Sequence, residues 1–255
     1  VEPRDAATVL LIRDAPDLQV FMLRRNLRSV FAAGAYVFPG GAVDPDDSDA
    51  ALDAGRAAGG PETGIAARFR VAAIREAFEE AGVLLARDAA TGTPVDVGSL
   101  TAARQALHRG EGSFTEIISD LGVVLDTAAL WPIGRFITPQ GAPRRFDTWF
   151  FVAPAPDGHA YRHDDGETVA SLWIRPDAAL ERSRHGEFEL IEPTWCTLAL
   201  IARYPRVAPV FDAIRAAWRE PSPLEERYRD RGWVLRVGDD PHPQHEDRPR
   251  RRTTA

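Results

Sequence analysis

The sequence predicts an α/β protein: a mixed β-sheet with helices packed on its faces. Three observations carry that prediction. β-prone runs open the chain, one strongly periodic helical segment follows, and strands and helices then intermix. Residues 7–12 and 18–23 read as a hairpin joined by Asp14-Ala15-Pro16-Asp17, where Pro presets φ and Asp can bond its own backbone. A third run, residues 35–38, ends at Pro39-Gly40-Gly41. The stretch 44–61, rich in Asp, Ala and Gly, lacks a clear period and reads as a loop with room for one turn of helix. Over residues 65–81 the period becomes helical: Ala67, Val71, Ile74, Phe78 and Ala81 share one stripe, with Thr63 as N-cap and Gly82 as the stop.

Residues 99–109 and 113–121 read as two amphipathic surface helices, the second opened by a capping box of Ser113 and Glu116. Strands are expected over 133–138, 145–152 and 169–174. Pro176 then sits in the first turn of a helix over 176–182, two further helices cover 195–203 and 207–218, and a last strand covers 233–237. Past Gly238 the charged, Pro-rich tail is expected to be disordered.

At 255 residues the chain exceeds a typical domain of ~100–200 residues but is short for two, which predicts one enlarged domain or a domain with an appendage. All 31 basic residues are Arg, so lysine Schiff-base chemistry and a lysine P-loop are excluded, and phosphate must be met by Arg, metal or backbone. A net charge of −7 argues against a broad nucleic-acid surface. The single cysteine, Cys196, rules out an intrachain disulfide and a Cys-rich zinc site. The first 14 residues show no charged leader with a long apolar run, and no stretch approaches the ~18 apolar residues of a membrane span. A soluble, cytoplasmic protein without nucleic-acid or membrane partners is expected. The six His show no metal-ligand spacing, and no Gly-x-Ser-x-Gly or Cys/His pairing suggests a nucleophile.

The periodic helix carries charges it should not want. Glu76, Glu79 and Glu80 fall together on the face roughly opposite the Val71/Ile74/Phe78 stripe. Like charges at these spacings cost about 0.2–0.5 kcal/mol per pair, and negative charge near a helix C-terminus opposes the macrodipole by a further ~0.3–1 kcal/mol. Arg75 can relieve Glu79 at i,i+4 but leaves Glu76 and Glu80 uncompensated. Either this is a solvated acidic face or it is a divalent-cation site, since Mg²⁺ takes one or two carboxylates with water and phosphate oxygens. On the second reading Glu76 and Glu80, one turn apart, hold one ion, and Glu79 reaches a second or orients a water.

Residues 75–83, Arg-Glu-Ala-Phe-Glu-Glu-Ala-Gly-Val, resemble the core of the Nudix box, and Phe38-Pro39-Gly40-Gly41 resembles the segment that opens it. Two features depart from the family pattern. There are 33 residues between Gly41 and Arg75, roughly 20 more than usual, and the position eight before Arg75, normally Glu, is Ala67. The resemblance implies a Nudix-type α/β/α sandwich with a mixed β-sheet, inserted helices and a C-terminal helical extension. It places the Nudix hydrolase domain over 5–190, with insertions about 42–62 and 95–125, the extension over 191–238 and a tail over 239–255. It implies Mg²⁺ or Mn²⁺ held by Glu76, Glu79 and Glu80, with Arg75 among the catalytic residues.

The long insertion, with residues 34–41, 73–85 and 144–148, is similar to the coenzyme A diphosphatase branch of the family. That likeness implies hydrolysis of the diphosphate in coenzyme A or acyl-CoA to 3′,5′-ADP and (acyl-)4′-phosphopantetheine. ADP-ribose, dinucleotides and nucleotide sugars are the alternative substrates, and a non-catalytic nucleotide-sensing module is a second alternative. Substrate-binding candidates are Arg24, Arg25, Arg28, Arg144 and Arg145, whose guanidinium forks suit phosphate, with Gly40 and Gly41 at the turn. Trp173 and Trp195 are either adenine-stacking or core residues. A carboxylate must take the proton of the attacking water; Glu79 is one candidate and Glu167, which matches a downstream Glu of that branch, is the other. A homodimer is left open.

Overall fold

The structure, a computed structural model, describes residues 1–27, 32–52, 64–93, 95, 97–159, 161–164, 168–218 and 233–235. The opening hairpin forms from β1 (Arg4–Asp14) and β2 (Leu18–Arg25), which pair only near their turn, from Ile12↔Val20 to Asp14↔Leu18. Beyond that they splay. The fork is filled by β3 (Tyr36–Val37), which pairs β2, and β4 (Gly40–Ala42), which pairs β1. Phe38 and Pro39 carry the chain between them, and the Pro39 carbonyl accepts the Val9 N–H at 2.9 Å.

The stretch expected to be mainly loop contains two turns of helix, α1 (Pro45–Leu52). Its signal is local and polar rather than periodic: Pro45 opens it, and the Asp47 carboxylate accepts the Asp44 N–H at 2.7 Å. The rest of that stretch, 53–61, lies outside the described residues, as does Thr63. The metal-candidate helix α2 (Ala67–Ala81) starts at Ala66, whose side chain makes no cap, and ends at Gly82, which adopts φ +69°.

After α2 come β5 (Ala86–Asp88), α3 (Val97–His108), α4 (Phe114–Asp120) and β6 (Val123–Leu125). The expected capping box of Ser113 and Glu116 opens α4. β5 and β6 pair antiparallel, a small second sheet that closes the base of the region read as an insertion and that the sequence reading missed. The main sheet resumes with β7 (Trp131–Ile137), β8 (Phe146–Pro154) and β9 (Thr168–Ile174). Helices α5 (Pro176–Arg184), α6 (Glu192–Ile201) and α7 (Val207–Ala217) follow, then β10 (Trp233–Leu235). The tail from 239 lies outside the described residues.

Strand order is β10-β7-β8-β1-β2-β3, with β4 on β1 and β9 on β2. β1 and β8 are parallel and the other pairs antiparallel, so the sheet is mixed as predicted. Alternation along β1 splits its apolar side chains between two cores. Ala7, Val9 and Leu11 meet Ile74 and Phe78 of α2, whereas Leu10 and Ile12 meet Leu198 of α6 and Ile214 of α7. The three-layer sandwich follows, with α2 on one face and α5, α6 and α7 on the other. Residues 191–218, read from the sequence as an extension, thus supply much of the apolar cover of the second face. Among the described residues no helix is long and apolar enough to cross a membrane.

Candidate active site

The acidic face of α2 is not a solvated one. Glu80 is 6% exposed, and the Glu76 and Glu79 side chains are 13% and 28% exposed. α1 and the Gly40-Gly41 turn cover this face, while the Val71/Ile74/Phe78 stripe faces the sheet. Both sides of the helix are therefore occupied, one by apolar packing and the other by a polar network.

Arg75 organises that network. Its Nε donates to Asp47 Oδ1 at 2.9 Å and Nη2 to Asp47 Oδ2 at 3.2 Å. Nη2 also donates to the Ala42 carbonyl at 2.8 Å, and Nη1 to Glu76 at 2.9 Å and Glu79 at 3.2 Å. The expectation that Arg75 relieves Glu79 alone is corrected: it pairs with Glu76 as well. Glu80 accepts the Gly40 N–H at 3.0 Å. Gly40 and Gly41, expected at the substrate, stand directly against the carboxylates. A Cβ on Gly41 would lie 2.4 Å from Glu76 Oε1, so a side chain there would displace the carboxylate.

Crowding acids into a low-dielectric seat makes them harder to ionise. Burial pushes the Glu76 carboxyl up to about 7, reinforced by Glu79 and opposed by Arg75. Burial likewise raises Glu79 and Asp47. Burial alone would lower Arg75, but Asp47, Glu76 and Glu79 outweigh it and hold the guanidinium charged. At the helix C-terminus, Arg104 Nε donates to the Glu79 carbonyl at 2.9 Å, and His108 Nε2 lies 3.0 Å from the same oxygen. The Arg104 guanidinium, from α3, offsets the unfavourable end of the dipole.

Among the described residues no three His, Cys, Asp or Glu side chains converge as a ready-made metal cage. Mg²⁺ does not require one, because it takes one or two carboxylates and completes its shell with water and phosphate. Glu76 and Glu80 beside a turn without side chains suit that donor set.

The remaining expected residues are dispersed. Arg24 follows Val20 and Met22 toward the α6 side of the sheet, where it lies over the Tyr36 ring at 5.8 Å and donates to the Gly34 carbonyl at 3.4 Å. Arg25 lies where the ladder with β9 shifts register, and its N–H donates to Ala35. Arg145 directs Nε to the Thr138 carbonyl and Nη1 to that of Val1, at the entry to β8, while Arg144 is exposed. Trp195 is buried in the α6 core, and Trp173 packs against Phe21 and Tyr161 with Arg13 over its ring. Arg28 and Glu167 lie outside the described residues. Asp47, Arg104 and His108 were missed; the Asp44-Pro45-Asp46-Asp47 helix start was the available signal for the first.

Residues 52–201 match the family model of the NUDT19 Nudix domain. The acyl-coenzyme A diphosphatase NUDT19 of Gallus gallus is 29% identical over 259 residues, covering 79% of this chain and 68% of that protein. Its Homo sapiens counterpart is 27% identical over 233 residues, covering 74% and 62%. The crystal structure of a NUDIX hydrolase from Alicyclobacillus acidocaldarius matches with a TM-score of 0.74 at 32% identity, covering 83% of this chain and 96% of that one.

Proposed function

The chain belongs to the Nudix hydrolases, in the family of the NUDT19 Nudix domain, and is a hydrolase of pyrophosphate bonds; on that premise we propose a divalent-metal-dependent diphosphatase of coenzyme A or acyl-coenzyme A. Its products are 3′,5′-ADP and (acyl-)4′-phosphopantetheine. The observation that carries the metal chemistry is the seat of Glu76 and Glu80 on the Gly40-Gly41 turn. The substrate rests on the likeness to the acyl-coenzyme A diphosphatases of Gallus gallus and Homo sapiens.

Glu76 and Glu80 hold Mg²⁺ or Mn²⁺ in this reading, with Glu79 at a second ion or a water. An ion held by these residues would supply charge neutralisation for the diphosphate oxygens and a more acidic water. Glu79 or Glu167 takes the proton of the attacking water. Arg75 acts by positioning, since its five N–H groups already have acceptors within the protein. Arg24, Arg25, Arg28, Arg144 and Arg145 remain the arginines proposed for substrate phosphate, Arg24 and Arg144 among them being exposed.

The test is a substrate panel of CoA, acyl-CoA, ADP-ribose, dinucleotides and nucleotide sugars, with products identified, run on the wild-type chain and on Glu80→Gln. CoA species are expected to be cleaved by the wild type only, and the variant is expected to keep or raise its thermal midpoint because repulsion is relieved. Failure to cleave any CoA species removes the substrate assignment. Near-normal turnover by Glu80→Gln at saturating Mg²⁺ removes the metal assignment.

A further inference from the structure

Asp47 holds one edge of the Arg75 fork in a bidentate pair, at 2.9 and 3.2 Å, and leaves Nη1 on the other side to span Glu76 and Glu79. The carboxylate is itself fixed. It is 1% exposed, stands in the first turn of α1 and accepts the Asp44 N–H. Asp44 is no substitute, lying 3.7 Å from Nη2 with its side chain 54% exposed. The position where the motif places an acid, Ala67, has no carboxylate to offer.

We propose that Asp47, carried by the segment inserted within the Nudix box, is a positioning residue for the metal helix. Gripping Nε and Nη2 fixes the plane of the guanidinium, and Nη1 then fixes the directions of the Glu76 and Glu79 carboxylates. Without Asp47 the buried cation keeps only the Ala42 carbonyl on that edge and turns toward the remaining anions, Glu76 and Glu79. It then competes with a metal ion for them. The inserted segment thereby becomes part of the active-site support rather than surface decoration. This inference rests on the metal-dependent reading above.

Outer-shell partners that orient metal ligands typically change metal affinity or activity by about 10–100-fold. The experiment is a Mn²⁺ titration of the full chain followed by electron paramagnetic resonance without substrate, beside steady-state kinetics on a diphosphate that the wild type cleaves. Asp47→Asn is expected to bind Mn²⁺ about 10–100-fold more weakly and to lose kcat at limiting Mn²⁺ while KM for the substrate holds. Asp47→Glu is expected to recover part of the affinity. A folded Asp47→Asn with wild-type Mn²⁺ affinity and kcat overturns the proposal and leaves Asp47 a purely structural residue. If Asp47→Asn does not fold, Asp47→Ser decides by the same titration: weaker Mn²⁺ binding at unchanged KM supports the role, and wild-type binding overturns it. A wild-type chain that binds no Mn²⁺ overturns the metal reading and the inference together, a result distinct from a defect confined to the variants.

Discussion

At Glu76 two effects compete. Burial raises the carboxyl to about 7 although Arg75 stands 2.9 Å away, so desolvation outweighs the ion pair. In an unfolded chain the same group titrates near 4.5. The folded state therefore holds this proton more tightly, and the stabilisation is complete below the unfolded value and lost as pH rises through about 7. Metal-free protein should show a thermal midpoint that falls between about pH 5 and about pH 8 by more than that of Glu76→Gln. Mn²⁺ added at the upper pH should raise the wild-type midpoint by mass action. A difference between wild type and variant that does not change with pH contradicts this account. The three glutamates themselves were legible in the sequence because they opposed helix physics; Asp47 was not, because its partner Arg75 lies 28 residues further on.

An element can be read locally when its stabilising contacts are local, as in α4. Ser113 Oγ accepts the Glu116 N–H, and the Glu116 carboxylate accepts the Ser113 N–H, both in solvent-exposed positions. Ser113→Ala should destabilise the protein by about 1 kcal/mol in urea denaturation. Its kcat should be unchanged, because Phe114 still packs against Phe78 from below the cap. Measurable loss of turnover would mean that the cap reaches the site. α2 was legible from its period, but its N-terminus was not, since Ala66 offers no cap and tertiary packing sets the start. α1 lacked a period altogether, and its buried Asp47 is secured by an ion pair rather than by an apolar stripe.

The whole molecule divides its two duties between the faces of one sheet. The acidic network lies with α2 and β4, whereas Leu198 is fully buried among α6, α7 and the opposite face. Leu198→Ala should cost about 2–5 kcal/mol of stability through the cavity it leaves, with KM for substrate unchanged while the protein remains folded. A specific rise in KM would show that the two faces are coupled. The order of the main elements, the mixed sheet, the apolar stripe of α2 and the clustered glutamates are determined by the sequence, because period, turn chemistry and helix electrostatics act over a few residues. Tertiary structure alone decided that the acidic face is buried, that Gly40 and Gly41 back the carboxylates, and that Arg145 bonds the Thr138 and Val1 carbonyls. These outcomes depend on where β1 and β2 splay and on which helix covers which face. The glycine–carboxylate contacts join residues tens of positions apart, and no local pattern encodes them.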